Sequence, residues 1–254
     1  MRKFIILLRH QIWLMAISSS TYFAAFLFLG FMAAAFLWTI HCVSIVPEKE
    51  SPTALFLNIF WLPVLFMVPL LTMRSISDEL RRGTLASLMS TAVSAWQIVL
   101  SKFLACYIFY VVLWLLTLVY VAVACWYLPH VGADDFFESS QLASGYSFVF
   151  LTGATYISIG IFASSLTRTT LVAGLLSFGM LFFFVVGAGV LESLNLSGGG
   201  FSGYLVRASG NLHTFRQLEN FNNSLIDTRP FFFYLSTACV FLAITCLITE
   251  SKNR

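Results

Sequence analysis

Charge is what this sequence has least of. Its 254 residues include 14 Lys and Arg and 11 Asp and Glu, so 10% are charged, where soluble domains carry about 25%. With 59% hydrophobic and 17% aromatic residues, 27 of them Phe, that scarcity excludes a water-soluble fold, because one core of this size cannot hide so much apolar surface. The net charge of +3 is spread thinly, with no basic run longer than Arg81-Arg82. A nucleic-acid partner therefore has no footprint here, and the expected solvent is a lipid bilayer.

Motifs of several chemistries are also missing. The five cysteines (Cys42, Cys106, Cys125, Cys239, Cys246) lie in or beside apolar runs, without a CxxC pair or a His at metal-ligand spacing, and read as small hydrophobes. There is no H-E-x-x-H, no paired Asp and no G-x-S-x-G, so hydrolysis inside the membrane by a metal or a serine lacks its residues. No G-x-x-x-x-G-K-[ST] occurs, which excludes ATP hydrolysis by a P-loop in this chain. Ionisable groups within apolar runs are confined to their margins: Lys102 and Glu192 near ends, His41 at an edge. No enzyme, cofactor or metal is expected of this chain.

What is present is a series of apolar runs near the length of about 20 residues that crosses a bilayer as a helix. They are 22–43, 54–73, 98–126, 146–166, 171–191 and 231–249, giving six expected spans in an all-α membrane protein of one domain, 1–254. The third is long enough to tilt, and Lys102 near its start can snorkel to the interface. Pro63 and Pro69 should kink or open the second. Gly153 and Gly160, with Ala154, Ser158 and Ala163, offer small faces for close helix approach.

Orientation follows from the basic residues, since positive loops stay cytoplasmic. With the N-terminus inside, Arg2, Lys3, Arg9, Arg74, Arg81, Arg82, Lys102, Arg168, Lys252 and Arg254 are cytoplasmic, and only Lys49, Arg207, Arg216 and Arg229 are outside. Both termini are then expected in the cytoplasm. Arg9, His10 and Gln11 cut short the apolar run after Met1-Arg2-Lys3, so residues 1–20 read as an interfacial helix rather than a cleaved signal.

The main cytoplasmic segment is the loop 74–97. Asp78 with Arg82 and Glu79 with Arg82 are spaced for helix-surface ion pairs, Gly83 is a natural helix stop, and a further turn can run from Gly83 or Thr84 to Met89. Ser94-Ala-Trp-Gln97 matches a capping box opening the next span. Two readings stay open from the residues alone: a solvated connector that fixes topology, or a rigid lever. The outer segment 192–230 is too polar to span, yet Phe215, Leu218, Phe221 or Asn222, and Leu225 recur at helical spacing. It reads either as an outer cap or as a gate, with Phe215, Leu218 and Phe221 as the gate candidates. His213, Arg216, Glu219 and Asp227 sit among solvent-facing positions and suggest no catalysis.

Met73 to Phe103 resembles the first cytoplasmic loop of ABC-2 type permeases, approximately M-R-x-x-[AS]-[DE]-E-x-R-x-G-T-L-x-x-L followed by W-Q-I-x-x-x-K. Met73, Arg74, Ser77, Asp78, Glu79, Arg82, Gly83, Thr84, Leu85, Leu88, Trp96, Gln97, Ile98 and Lys102 match. Ala86 and Ala92 stand where Glu and Pro are common. Phe162 to Arg168 is similar to the family's second cytoplasmic turn, and Leu218 to Ser236 to a segment of the branch with gliding-motility and nitrous-oxide-reductase accessory permeases.

The resemblance implies a type V exporter-like architecture in the plasma (inner) membrane, and two permease copies, or one with a similar partner, joined to ATP-binding cassette ATPase subunits that hold ATP and Mg. It also implies ATPase coupling through Asp78, Glu79, Arg81, Arg82, Gly83, Thr84, Leu85 and Leu88, a second cytoplasmic turn at Thr167 and Arg168, and room for an auxiliary membrane subunit. Export is the implied direction. The alternative in the same branch is a membrane anchor for a gliding-motility or assembly machine with little or no transport.

Overall fold

The computed structural model describes residues 2–45, 52–84, 94–127, 139–193 and 228–252. Among these the regular structure is entirely helical: α1 (Arg2–Ile17), α2 (Ser19–Ile45), α3 (Pro52–Asn58), α4 (Trp61–Thr72), α5 (Ser77–Arg82), α6 (Ala95–Tyr127), α7 (Ser139–Leu166), α8 (Thr170–Ser193) and α9 (Thr228–Ser251). Five helices are long and apolar enough to cross a membrane, and a sixth span results if α3 and the run from Trp61, bent by 42° at their break, count as one.

The least apolar of the five spans occupies the middle. The α7 window has a mean hydropathy of 1.6, against 2.2 or more for the others, yet 72% of it is buried, against 33% or less. The two facts have one cause, since hydroxyls are costly against hydrocarbon and cheap where they find partners. Thr155 donates to the Tyr234 carbonyl of α9 at 2.8 Å; Thr152 and Ser158 bond back to their own helix. α9, α8, α6, α4, α3 and α5 all pack around α7. Meanwhile α2, α6, α8 and α9 turn large side chains outward, among them Phe26, Leu116, Phe183 and Phe232, as lipid-facing helices do.

Glycine permits the closest of these approaches. A Cβ on Gly153 would collide with the ring of Tyr110 from α6, and one on Gly160 with the side chain of Thr72 at the end of α4. The Tyr110 hydroxyl donates to the Val149 carbonyl of α7 at 3.2 Å, which holds the ring against that helix.

The span 54–73, expected to kink at its prolines, is two helices bent by 42° at a break. The break at Ile59 and Phe60 lies one turn before Pro63, whose ring lacks the N–H that would reach the Ile59 carbonyl and crowds that carbonyl as well. Pro69, by contrast, is carried inside α4. The break drives Phe60 inward, fully buried, onto Trp114 of α6 and Phe148 of α7, at centroid distances of 6.5 and 6.3 Å. Trp114 also takes Phe28 of α2 edge-on at 5.2 Å and Tyr146 of α7 at 5.8 Å, so one indole joins four elements.

At the opposite end from that cluster the chain leaves α4 by a tight turn, Met73 to Ile76, and enters α5. There α1 lies along α6, exposing Ile5, Ile6, Trp13 and Ile17 together with Lys3, Arg9 and His10.

Candidate functional site

The short helix α5 is assembled from local signals. Asp78 and Glu79 fall in its first turn and Arg81 and Arg82 in its last, matching the helix dipole at both ends. Gly83 ends it at φ 69°, its N–H returning to the Glu79 carbonyl; only glycine takes that left-handed conformation without strain. On the far side of the loop, the Ser94 N–H meets Gln97 Oε1 at 3.4 Å, the reciprocal half of the capping box that opens α6.

What fixes α5 in space comes from elsewhere in the chain. Ser164 of α7 accepts the N–H groups of Ile76 and Ser77 on one hydroxyl oxygen, both at 3.1 Å. The same hydroxyl donates to the Met73 carbonyl at 3.2 Å. A serine hydroxyl has one proton and two lone pairs, and all three are used. Ser77 adds its own bond to the Met73 carbonyl.

The second anchor is Lys102 of α6. Its ammonium contacts Glu79 Oε1 at 2.6 Å and the Ser75 carbonyl at 2.5 Å, with the side chain 3% exposed. Lys102 does not extend into solvent: it is buried against α5 and its charge is paired with Glu79. The expected pairing of Arg82 with Asp78 and Glu79 is replaced. Glu79 serves Lys102, because a buried ammonium without a carboxylate costs several kcal/mol, whereas a helix-surface pair returns only about 0.2–0.5 kcal/mol. Asp78 lies 3.7 Å from Arg81, whose side chain is 58% exposed, a weak contact.

The other residues singled out in the sequence divide in two. Thr167 and Arg168 form the link between α7 and α8, where Thr167 Oγ1 donates to the Thr169 carbonyl at 3.3 Å and Arg168 is exposed. This link follows Ser164 by a few residues, so it lies at the same end of the bundle as α5. Lys252, just past α9, donates to the Ser165 and Leu166 carbonyls at 2.6 and 3.3 Å and so caps the end of α7. Partial burial, and then the neighbouring Arg168 guanidinium, hold the Lys252 ammonium below its ordinary pKa. Leu85, Leu88, Phe215, Leu218 and Phe221 lie outside the described residues.

Sequence reasoning missed Ser164, Lys252 and Lys102 as anchors. Ser164 stands inside the Phe162 to Arg168 segment and Lys102 closes the W-Q-I-x-x-x-K pattern, so each was visible as a motif position but not as a partner. Between α1, α4, α5 and α6 lies a cleft of about 450 Å³, whose walls include His10, Arg74, Glu79, Arg82 and Lys102. Among the described residues no group of three His, Cys, Asp or Glu side chains is arranged to hold a metal.

A family model described as ABC-2 family transporter protein matches residues 5–239, nearly the whole chain. The chain belongs to the ABC-2 transporter family. As an ABC-2 permease it is a multi-pass membrane component of an ABC transporter, a transport protein rather than a catalytic enzyme, of a kind that normally works with an ATP-binding cassette ATPase. No curated protein matches the chain.

Proposed function

We propose that this permease lies in the plasma (inner) membrane with both termini cytoplasmic. It pairs with a second copy or a similar permease and works as an exporter driven by a separate ATPase subunit docked on α5 and on the segment after it that carries Leu85 and Leu88. ATP and Mg belong to that subunit. The orientation is supported by the positive-inside bias: Arg74, Arg81, Arg82, Arg168 and Lys252 gather at one end of the bundle. The export direction rests on the loop resemblance.

One observation carries the coupling role. Residues 81–84 are exposed, while the root of the same helix is bonded to α6 through Lys102 and to α7 through Ser164. A load applied to the exposed side has a stiff path to two spanning helices at once, which a solvated connector does not need. ATP-driven closure of the cassettes would move α5, and the paired bundles would switch access to a path between them.

Affinity co-purification from detergent tests this reading. The wild-type chain should bring down an ATP-binding cassette protein, and an Arg81→Ala, Arg82→Ala, Thr84→Ala variant should lose it. Glu79 is left intact because it holds Lys102. Recovery of no ATPase with the wild-type chain would defeat the reading in favour of a membrane anchor for a gliding-motility or assembly machine, the role suggested by the resemblance of residues 218–236.

A further inference from the structure

The cleft beside α5 shares Arg82 and Thr84 with the proposed docking surface and adds Arg74, a cation that the coupling role does not use. Of the acids in its wall, Glu79 is paired with Lys102, while Asp78 meets only Arg81, outside the wall, in a weak contact at 3.7 Å. Arg74 and Arg82 also line it, and among the described residues neither has a carboxylate within ion-pair distance. Lys102, Arg74 and Arg82 thus outnumber Glu79 and Asp78 in the wall by one charge, and two of these cations are exposed guanidinium groups, the side chain best shaped to grip a phosphate through paired N–H donors.

Its remaining walls are of two kinds. Gln11 and Thr84 add hydrogen-bonding groups beside the arginines, while Leu14, Met15, Leu70 and Leu71 give an apolar side. The cleft lies where α4 and α6 reach the polar end of the bundle, beneath α1, whose exposed Ile5, Ile6, Trp13 and Ile17 suit immersion at the bilayer surface. A soluble phosphate would use the arginines and leave the apolar wall unmatched. A phospholipid uses both, and basic recesses between helices at this depth are suited to anionic head groups.

We propose that this cleft is a binding site for one anionic phospholipid, its phosphate held by Arg74 and Arg82 and its glycerol and first methylenes against Leu14 and Met15. The lipid would wedge between α1 and α5, touching the helix that the ATPase is proposed to move. The site requires only that the helices span a bilayer; it is independent of the orientation and partner proposed above.

The test uses the full chain, purified in detergent and stripped of lipid, with bound lipid counted by native mass spectrometry during titration with phosphatidylglycerol or phosphatidylcholine. One phosphatidylglycerol should bind at least about tenfold more tightly than phosphatidylcholine, a difference of about 1.4 kcal/mol. Arg74→Gln and Arg82→Gln should each weaken phosphatidylglycerol binding about fivefold, and the double variant should abolish the preference. Arg168→Gln, a cation at the same end but outside the cleft, should leave it intact. Because both arginines are exposed, the single variants decide the matter even if the double variant does not fold. Equal affinity for the two lipids, an undiminished preference in the single variants, or displacement of the lipid by millimolar inorganic phosphate would overturn the proposal.

Discussion

The Lys102 ammonium and the Glu79 carboxylate meet at 2.6 Å, with side chains 3% and 17% exposed, and join the start of a spanning helix to the short helix at the end of the preceding one. Lys102→Ala strands the Glu79 charge, and losing one partner of a buried pair costs about 3–5 kcal/mol. The expected result is a large fall in the apparent melting temperature of the detergent-purified protein. Lys102→Met with Glu79→Gln should recover most of it, because neither residue then leaves a buried charge. A double variant no more stable than Lys102→Ala would show that the pair is not the source of the loss.

Ser164→Ala removes the acceptor of two buried N–H groups and the donor to the Met73 carbonyl. Unsatisfied buried groups cost about 1–3 kcal/mol each, and here the loss falls on one short helix. Amide hydrogen exchange across 76–82 should accelerate by an order of magnitude or more, while exchange in the middle of α7 stays slow. Unchanged protection at 76–82 would mean that α5 is held by Lys102 alone.

Gly153→Ala forces a methyl group into the ring of Tyr110, an overpacking that costs about 1–3 kcal/mol. Gly179→Ala serves as the control, since nothing lies within 4 Å of its added Cβ. The thermal midpoint should fall for the first variant and hold or rise for the second. Replacing Tyr110 by Leu in the Gly153→Ala background should restore part of the loss.

Pro63→Ala returns the N–H that can reach the Ile59 carbonyl, so α3 and α4 should straighten from their 42° bend. Pro69→Ala should alter the path little, because the helix already continues through that position. Spin labels at residues 54 and 73 in a cysteine-free background would report a longer distance in the first variant only. Straightening also withdraws Phe60 from Trp114, so the first variant should lose stability as well.

Lys252→Met removes the cation that caps the end of α7, an interaction at a helix C-terminus worth about 0.3–1 kcal/mol. The expected outcome is faster hydrogen exchange near Leu166 and earlier proteolysis after Ile248, without a change in overall melting. A large drop in melting temperature would show that the contact holds α9 against α7 along its length.

Local chemistry was legible where cause and effect lie within a few residues. Gly83 ends α5, and Gln97 reaches back to the Ser94 N–H, because a glycine's freedom and a cap's reach are properties of a short stretch of chain. The pairing of Arg82 with Asp78 and Glu79 was expected on the same logic and did not hold. A helix-surface pair competes weakly with a partner 23 residues away, and nothing near Glu79 in the sequence shows that Lys102 turns inward.

The sequence by itself determined that this protein lives in lipid and that its apolar runs lie within helices, because hydropathy, charge and local spacing act without reference to distant residues. Tertiary structure alone decided that the least apolar span becomes the centre, that the break before Pro63 turns Phe60 into the core, and that α5 hangs from Lys102 and Ser164. Those outcomes depend on which polar groups find one another across as many as 91 residues, and that is set by packing.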